Sequence, residues 1–250
     1  YNIPLRSLYS KNVKNLMLAG RNISASHVAF TSSRVMATCA VVGQAAGTAA
    51  AFAARYKILP RELYQDKAKL NELQQTLLRD DQTIKNRKNA DATDVARAAQ
   101  VTASSEDNDS KAANVLNGLV RDVPKQFENC WVGKMNADGA WLELTWEKPQ
   151  KISQIQLTFD TGFERALTLT SQDGYNKRMI RAPQPETVKN YEIIATDKAG
   201  KEISLAKVME NHQRLNRHQF APMEAKTIRI KVSQTNGVGE ARIFEVRCYA

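Results

Sequence analysis

The reading of the chain turns on residues 16–56, which open Leu16-Met-Leu-Ala-Gly20, Arg21-Asn-Ile-Ser-Ala-Ser-His27 and Thr31-Ser-Ser33-Arg34-Val-Met-Ala-Thr-Cys39, and continue Ala-Val-Val-Gly43-Gln-Ala-Ala-Gly47-Thr-Ala-Ala-Ala51. A short apolar run ended by Gly20 has the pattern of a buried strand emptying into a loop. Thr31, Ser32 and Ser33 are each able to accept from the first free amides of a helix, and alanine-rich sequence without proline follows to about Tyr56. The expectation is one helix of roughly 22 residues, about 33 Å long. Its amino end carries unpaired N–H groups and a partial positive charge, so an electron-rich group is stabilised there.

Two plainer readings of that helix compete. It is apolar nearly all round, and Gly43 and Gly47 stand four apart, which in lipid makes a dimer face. Arg34 and Gln44 inside it, with alanine, glycine and threonine outnumbering large aliphatics, weaken membrane insertion. The small-residue face therefore reads as a surface for close backbone approach in a packed domain, and no membrane span is expected.

Outward from this helix, Pro60 opens an amphipathic helix carrying Leu63, Leu70, Leu73, Leu77 and Leu78 on one side and stopping near Asp80-Asp81. Gln82 to Asp94 is polar and reads as linker. Beyond it the hydrophobic period switches from helical to alternating, with strand-like runs at 101–104, 141–146, 152–159, 191–195, 227–232 and 241–249. Many short strands with turn punctuation make a β-sandwich or jelly roll, so the fold class is α+β and multidomain. The expected division is 1–85, a linker at 86–94, and 95–250.

The charge is uneven. Residues 1–88 carry 14 Lys/Arg against 5 Asp/Glu (+9), and residues 89–250 carry 22 against 21 (+1). The basic positions are scattered and lack aromatic interleaving, so no nucleic-acid partner is expected. Cys39, Cys130 and Cys248 fit no Cys-x-x-Cys pattern, which argues against a zinc site and a disulfide framework and leaves a Cys130–Cys248 bridge open.

The string from Tyr1-Asn-Ile-Pro4 through Gly20-Arg21, Thr31 to Ala51, Leu59-Pro-Arg-Glu-Leu63 and Leu73 to Leu78 resembles the carboxy-terminal part of FAD-dependent oxidoreductases. The resemblance implies a loop at Gly20 and Arg21 near the cofactor's ribityl and diphosphate. It also implies a helix start at Ser33, Arg34, Val35 and Met36 with its amides on the N1/C2-carbonyl edge of the ring. His27 and Arg34 become the catalytic candidates, for proton relay and for holding an anionic substrate group or the reduced flavin. As isolated residues, His27 reads equally as a loop histidine and Arg34 as a surface cation. Such folds open on a Gly-x-Gly-x-x-Gly turn, which this sequence lacks. Gly237-Val-Gly239 puts Arg242 at the third-glycine position and reads as a hairpin loop. The expectation is a piece of a larger flavoprotein that holds no FAD alone and pairs with a flavin-binding part.

The second half resembles discoidin-like, coagulation-factor type C domains of the galactose-binding-like group. The matching pieces are Val101 to Ser105, Asn114 to Gly118, Trp131, Trp141 to Leu144, Val188 to Ile193, Ile228 to Ile230 and Gly239 to Tyr249. That resemblance implies a module binding polysaccharide or another glycan through loops at one end, and a periplasmic or secreted place. Trp131, in a loop-like stretch, is a stacking candidate or core; Trp141 and Trp146 look structural. Arg165, in the 161–165 segment, which with the 181–186 loop fits ligand loops or interdomain contacts, is a further ligand candidate, as are Arg214 and His218, in a cluster with His212 and Arg217 that reads alternatively as a solvated face. Some relatives hold calcium near Asn117-Gly118, for which Asn114, Asn117 and Asp122 are the donors here, although calcium takes six to eight oxygens.

Two function classes result. One is an oxidoreductase piece with an appended carbohydrate-binding module. The other is a non-catalytic glycan-binding or adhesion module, including a polysaccharide-processing protein of the kind labelled xanthan lyase. No Tyr, His and Arg set on a helical toroid supports that lyase chemistry.

Overall fold

A computed structural model describes residues 1–122, 128–163, 165 and 170–250, and the chain divides into two compact units, Tyr1–Asn89 and Ala90–Ala250. The first is helical: α1 (His27–Ser33), α2 (Met36–Tyr56), α3 (Pro60–Gln65) and α4 (Lys67–Arg79). The run ending at Gly20 is not a strand. It makes a single bridge, Tyr9 to Met17, before a 3-10 turn at Gly20–Asn22.

The expected single helix over the alanine-rich stretch is interrupted. Ser33 and Thr31 hydroxyls donate back to Phe30 and His27 carbonyls instead of capping a following helix. Arg34 ends α1 and Val35 turns extended, so α2 begins only at Met36. The leucine helix is likewise two helices. Asp66 leaves helical geometry, and its carboxylate accepts from the Ala68 and Lys69 amides to cap α4. Ala49 and Phe52 of α2 meet Leu63, Leu73 and Leu77 in a small core, with Val42 and Ala46 packing on Leu8 and Ile23. α2 has the length and apolar composition of a membrane span, yet it lays this stripe against α3, α4 and the amino-terminal segment.

The second unit is an antiparallel β-sandwich built on two long strands. Its elements are β1 (Gln100–Ala103), β2 (Trp131–Lys134), β3 (Ala140–Phe159), β4 (Val188–Thr196), β5 (Glu202–Val208), β6 (Leu215–Thr235) and β7 (Glu240–Tyr249), with a short α5 (Asp173–Arg178). The order is β2-β7-β3-β6-β4-β5, with β1 on β3. β1 pairs with residues 142–145 of β3, whereas β7 pairs with residues 154–159. Each half of β3 thus serves a different layer, and register shifts between Thr145 and Gln150 and between Ile152 and Gln154 mark the bend. The second shift changes the inward phase. Leu142, Leu144, Trp146 and Ile152 point in on even numbers, and Ile155, Leu157 and Phe159 on odd ones, all in one core. Phe159 and Tyr191 meet edge-on across that core at 5.1 Å.

Trp131 opens β2 instead of lying in a loop. Gly237-Val-Gly239 joins β6 to β7, which do not pair with each other, so it is a crossing connection and not a hairpin.

Candidate functional site

Two regions carry the candidate residues, one in each unit. In the helical unit, Gly20 takes φ +68°, a backbone that a β-carbon disfavours, and starts the turn that packs on α2. Arg21 lies 6.0 Å over the Phe30 ring. Ser26 caps α1 by accepting from Ala29, which makes His27 the first residue of that helix. Arg34 closes the same helix, so its cation sits at a carboxy end, where the dipole welcomes it. The expectation that Arg34 stands at the start of the long helix is therefore corrected. His27 and Arg34 are seven residues apart, two turns along one face of α1, about 10 Å along the axis. Val35 precedes α2 with no side-chain cap, leaving the first amides of α2 without a side-chain acceptor. Val35 and Met36 are exposed, Met36 at 90 %, while Ser33 is buried and tied to Phe30.

In the β unit, one end of the sandwich gathers loop residues that sequence reading only partly named. The Arg214 guanidinium donates to the Phe159 carbonyl at 2.6 Å and to the Val120 carbonyl. Its Cζ lies 5.0 Å from the buried Phe244 ring and 4.5 Å from Phe163, and Arg121 lies 4.2 Å from the same Phe163. These ring–cation contacts lead from the core to a half-exposed Phe163 at the surface. Beside it, Arg165 makes a two-pronged bridge to Glu186 and donates to Gln184 at 3.0 Å. The Arg165 contact holds the Glu186 carboxyl below the usual carboxylate range. Gly162 at φ +65° permits this closeness, since a β-carbon there meets the Arg165 guanidinium at 2.2 Å. Arg242 bridges Asp160 and Glu240, both at 3.2 Å. Glu164, within the 161–165 segment, lies outside the described residues.

Arg165 and Arg214 therefore share one end of the sandwich, while two other candidates do not join them. Trp131 is fully buried and donates its indole N–H to the Ser105 carbonyl at 2.9 Å, so it is core and offers no face to a sugar. Gly133 makes room for it: a β-carbon there falls 2.2 Å from the indole ring. His218 is half-buried on β6, its Nε2 2.9 Å from the Tyr191 hydroxyl, and burial pushes its pKa down. Arg217 donates to Gln156. Arg217 and His218 thus lie on β6 with structural partners, while exposed His212 and buried Arg214 lie in the segment before it.

The calcium candidates have protein partners of their own, and one Asp122 carboxylate oxygen is buried without one. Asn114 and Asn117 spend their amide groups on the Asp109 and Cys130 carbonyls and on Asn129, and the Asn117 oxygen accepts from Leu119. Asp122 accepts from the Asn129 amide. Among the described residues no three His, Cys, Asp or Glu converge on a point. Cys130 and Cys248 are free and buried, one packed with Val132 and Phe244, the other within the main core, which closes the question of a bridge.

Residues 1–77 match the FAD dependent oxidoreductase family, and residues 94–164 match a domain of unknown function, DUF7402. No curated protein matches the chain. Among solved structures, the chain is similar to the family 32 carbohydrate-binding module of NanJ from C. perfringens in complex with galactose. The identity is 22 %, covering 63 % of this chain and 98 % of that one, with a TM-score of 0.46. It is similar at 13 % identity, over 63 % and 98 %, to chitosan-binding module 1 of a chitosanase/glucanase from Paenibacillus sp. IK-5, with a TM-score of 0.46. A Streptococcus pneumoniae fucose binding module matches at 14 % identity over 67 % and 99 %, with a TM-score of 0.45.

Proposed function

We propose that this chain is part of an FAD-dependent oxidoreductase whose helical unit lines the ring end of the flavin, and whose β-sandwich holds a glycan at the loop end around Phe163. The observation that carries the first half is the family match over residues 1–77, a span that contains the uncapped start of α2 at Val35 and Met36. FAD, when bound, supplies hydride acceptance from the substrate. The chain's own residues do the rest. The Gly20-Arg21 turn and the amides after Val35 orient the ring edge, Val35 and Met36 keep water from one side, and Ser33 donates back to the Phe30 carbonyl within α1. His27 and Arg34, exposed at opposite ends of one helix face, are set to move a proton and to hold an anionic substrate group.

For the second half, half-exposed Phe163 supplies an apolar edge, and Arg165, Glu186, Asp160 and Arg242 alternate donors with acceptors, as sugar hydroxyls require. The flavin-binding complement is a polypeptide partner of the first unit.

Calorimetric titration of the whole chain with galactose, fucose and chitosan oligomers tests the glycan half. Binding to one of them that weakens at least tenfold in Phe163→Ala is the expected result, and the absence of binding to any removes this half. For the flavin half, His27→Ala and Arg34→Ala in the flavin-loaded protein are expected to slow flavin reduction by about 10²-fold, as removal of one charge-stabilising group does. Unchanged rates in both leave the two residues structural.

A further inference from the structure

The helical unit exposes an apolar face that its own core does not use. Of the exposed large hydrophobic residues among those described, Tyr1, Val13, Leu16, Val28, Val35, Met36 and Val41 belong to the first 41 residues, and four others to the whole β unit. Val41 also lines an open cleft of about 590 Å³, walled by Ile3 and Leu8 from the amino-terminal segment, Val42 from α2, and Leu70 and Leu77 from α4. That volume is in the range that proteins normally fill with something.

Three further observations say what fills it. Gln82 lines the cleft, and its Oε1 is buried with no hydrogen-bond partner, an acceptor waiting for an N–H or O–H donor. No aspartate or glutamate lines the cleft. Arg6 and Lys85, next in sequence to lining residues, are exposed and make no ion pair among the described residues, within a segment of net charge +9. A second copy of the chain brings the same positive charge to the same face and is repelled. A patch of this size with unsatisfied polar and cationic rims is the signature of an interface.

We propose that this cleft, between the amino-terminal segment, α2 and α4, docks an acidic polypeptide that lays an apolar strip along Val41 and Leu70 and donates an N–H to Gln82. The partner's carboxylates face Arg6 and Lys85. The inference rests on the function proposed above for the polypeptide nature of the occupant and adds the surface and the charge of the partner. Its test uses neither flavin nor sugar, so the two readings fail separately.

The probes are two labelled 18-residue amphipathic peptides with one leucine stripe, their polar faces all glutamate in one and all lysine in the other, titrated into the whole chain by fluorescence anisotropy. The glutamate peptide is expected to bind at least tenfold more tightly than the lysine peptide, and to weaken at least tenfold in Val41→Asp, whose side chain is half in solvent and tolerates the change. Gln82→Leu is a second variant, expected to weaken binding severalfold with the helical circular-dichroism signal intact. Equal binding of both peptides, no binding of either, or insensitivity to both substitutions overturns the proposal. So does uptake of the chain by phosphatidylglycerol vesicles that Val41→Asp abolishes while neither peptide binds, which assigns the face to an anionic lipid surface.

Discussion

Trp131, Trp146, Phe159 and Tyr191 are sealed inside the β unit, whereas the helical unit leaves Val28, Val35 and Met36 in solvent and closes its core with alanines, leucines, Ile23, Val42 and a single aromatic, Phe52. Both units draw on similar apolar composition. The difference is who covers it. A sandwich of two layers sharing bent strands buries both inner faces against each other, so the β unit satisfies itself. A helix that is apolar nearly all round needs neighbours on every side, and α2 has them on only part of its circumference. What this teaches is that the β unit has the packing of a self-sufficient domain and the helical unit that of a partner surface.

Substitutions sharpen that contrast. The largest expected effect is Trp146→Ala, which empties a buried site and loses the indole bond to the Val95 carbonyl. It should cost the β unit about 3–5 kcal/mol in denaturant unfolding and leave the helical transition in place. A single transition in which both units fail together breaks the comparison. Next comes Gly139→Ala, where φ is +88° and a β-carbon meets the Val232 carbonyl oxygen at 2.1 Å. Backbone on both sides leaves nothing to yield, and a loss of about 3 kcal/mol is expected.

A smaller effect concerns pH. Burial raises the Asp122 carboxyl to about 6, the charges of Asp160 and Glu128 adding to the rise while the Asn129 amide opposes it. With the folded value above the unfolded one near 3.9, its contribution to stability is fully present below about pH 3.9 and is lost as pH rises through about 6. Because the side chain is half in solvent, the cost of its charge at pH 8 is about 1 kcal/mol after screening. Asp122→Asn should recover about that amount at pH 8 and nothing at pH 4, read from unfolding midpoints at the two pH values. The smallest effect is Met36→Gln: at 90 % exposure its loss should change stability by less than about 0.5 kcal/mol while lowering binding of a hydrophobic dye. A large destabilisation would mean the helical unit already covers that face itself.

Much of the site was open to sequence reading and some was not. A polar, non-periodic segment signals Arg165 and a His/Arg cluster signals Arg214, and both lie at one end of the sandwich. Phe163 and Arg121 were passed over, because nothing in a single aromatic between glycine and glutamate signals that two guanidiniums from distant segments will lie against its ring. Trp131 was weighed as a ligand residue because its neighbours lack alternation, and only the pairing of β2 with β7 puts it inside. β5 and the first half of β6 went unnamed, their burial patterns being too polar to announce a strand.

The sequence by itself determined the change of architecture near residue 90, the alanine-rich helix, the alternating strands and the resemblance to a flavoprotein, since hydrophobic period and small-residue runs are local properties. Tertiary structure alone decided where helices stop and which face points inward. The break at Arg34 and Val35 and the cap at Asp66 follow from which backbone groups find partners. The inward phase of β3 reverses at a bulge set by its neighbour β6, where Gln154 meets Gln219, 65 residues downstream, and no local pattern records that contact.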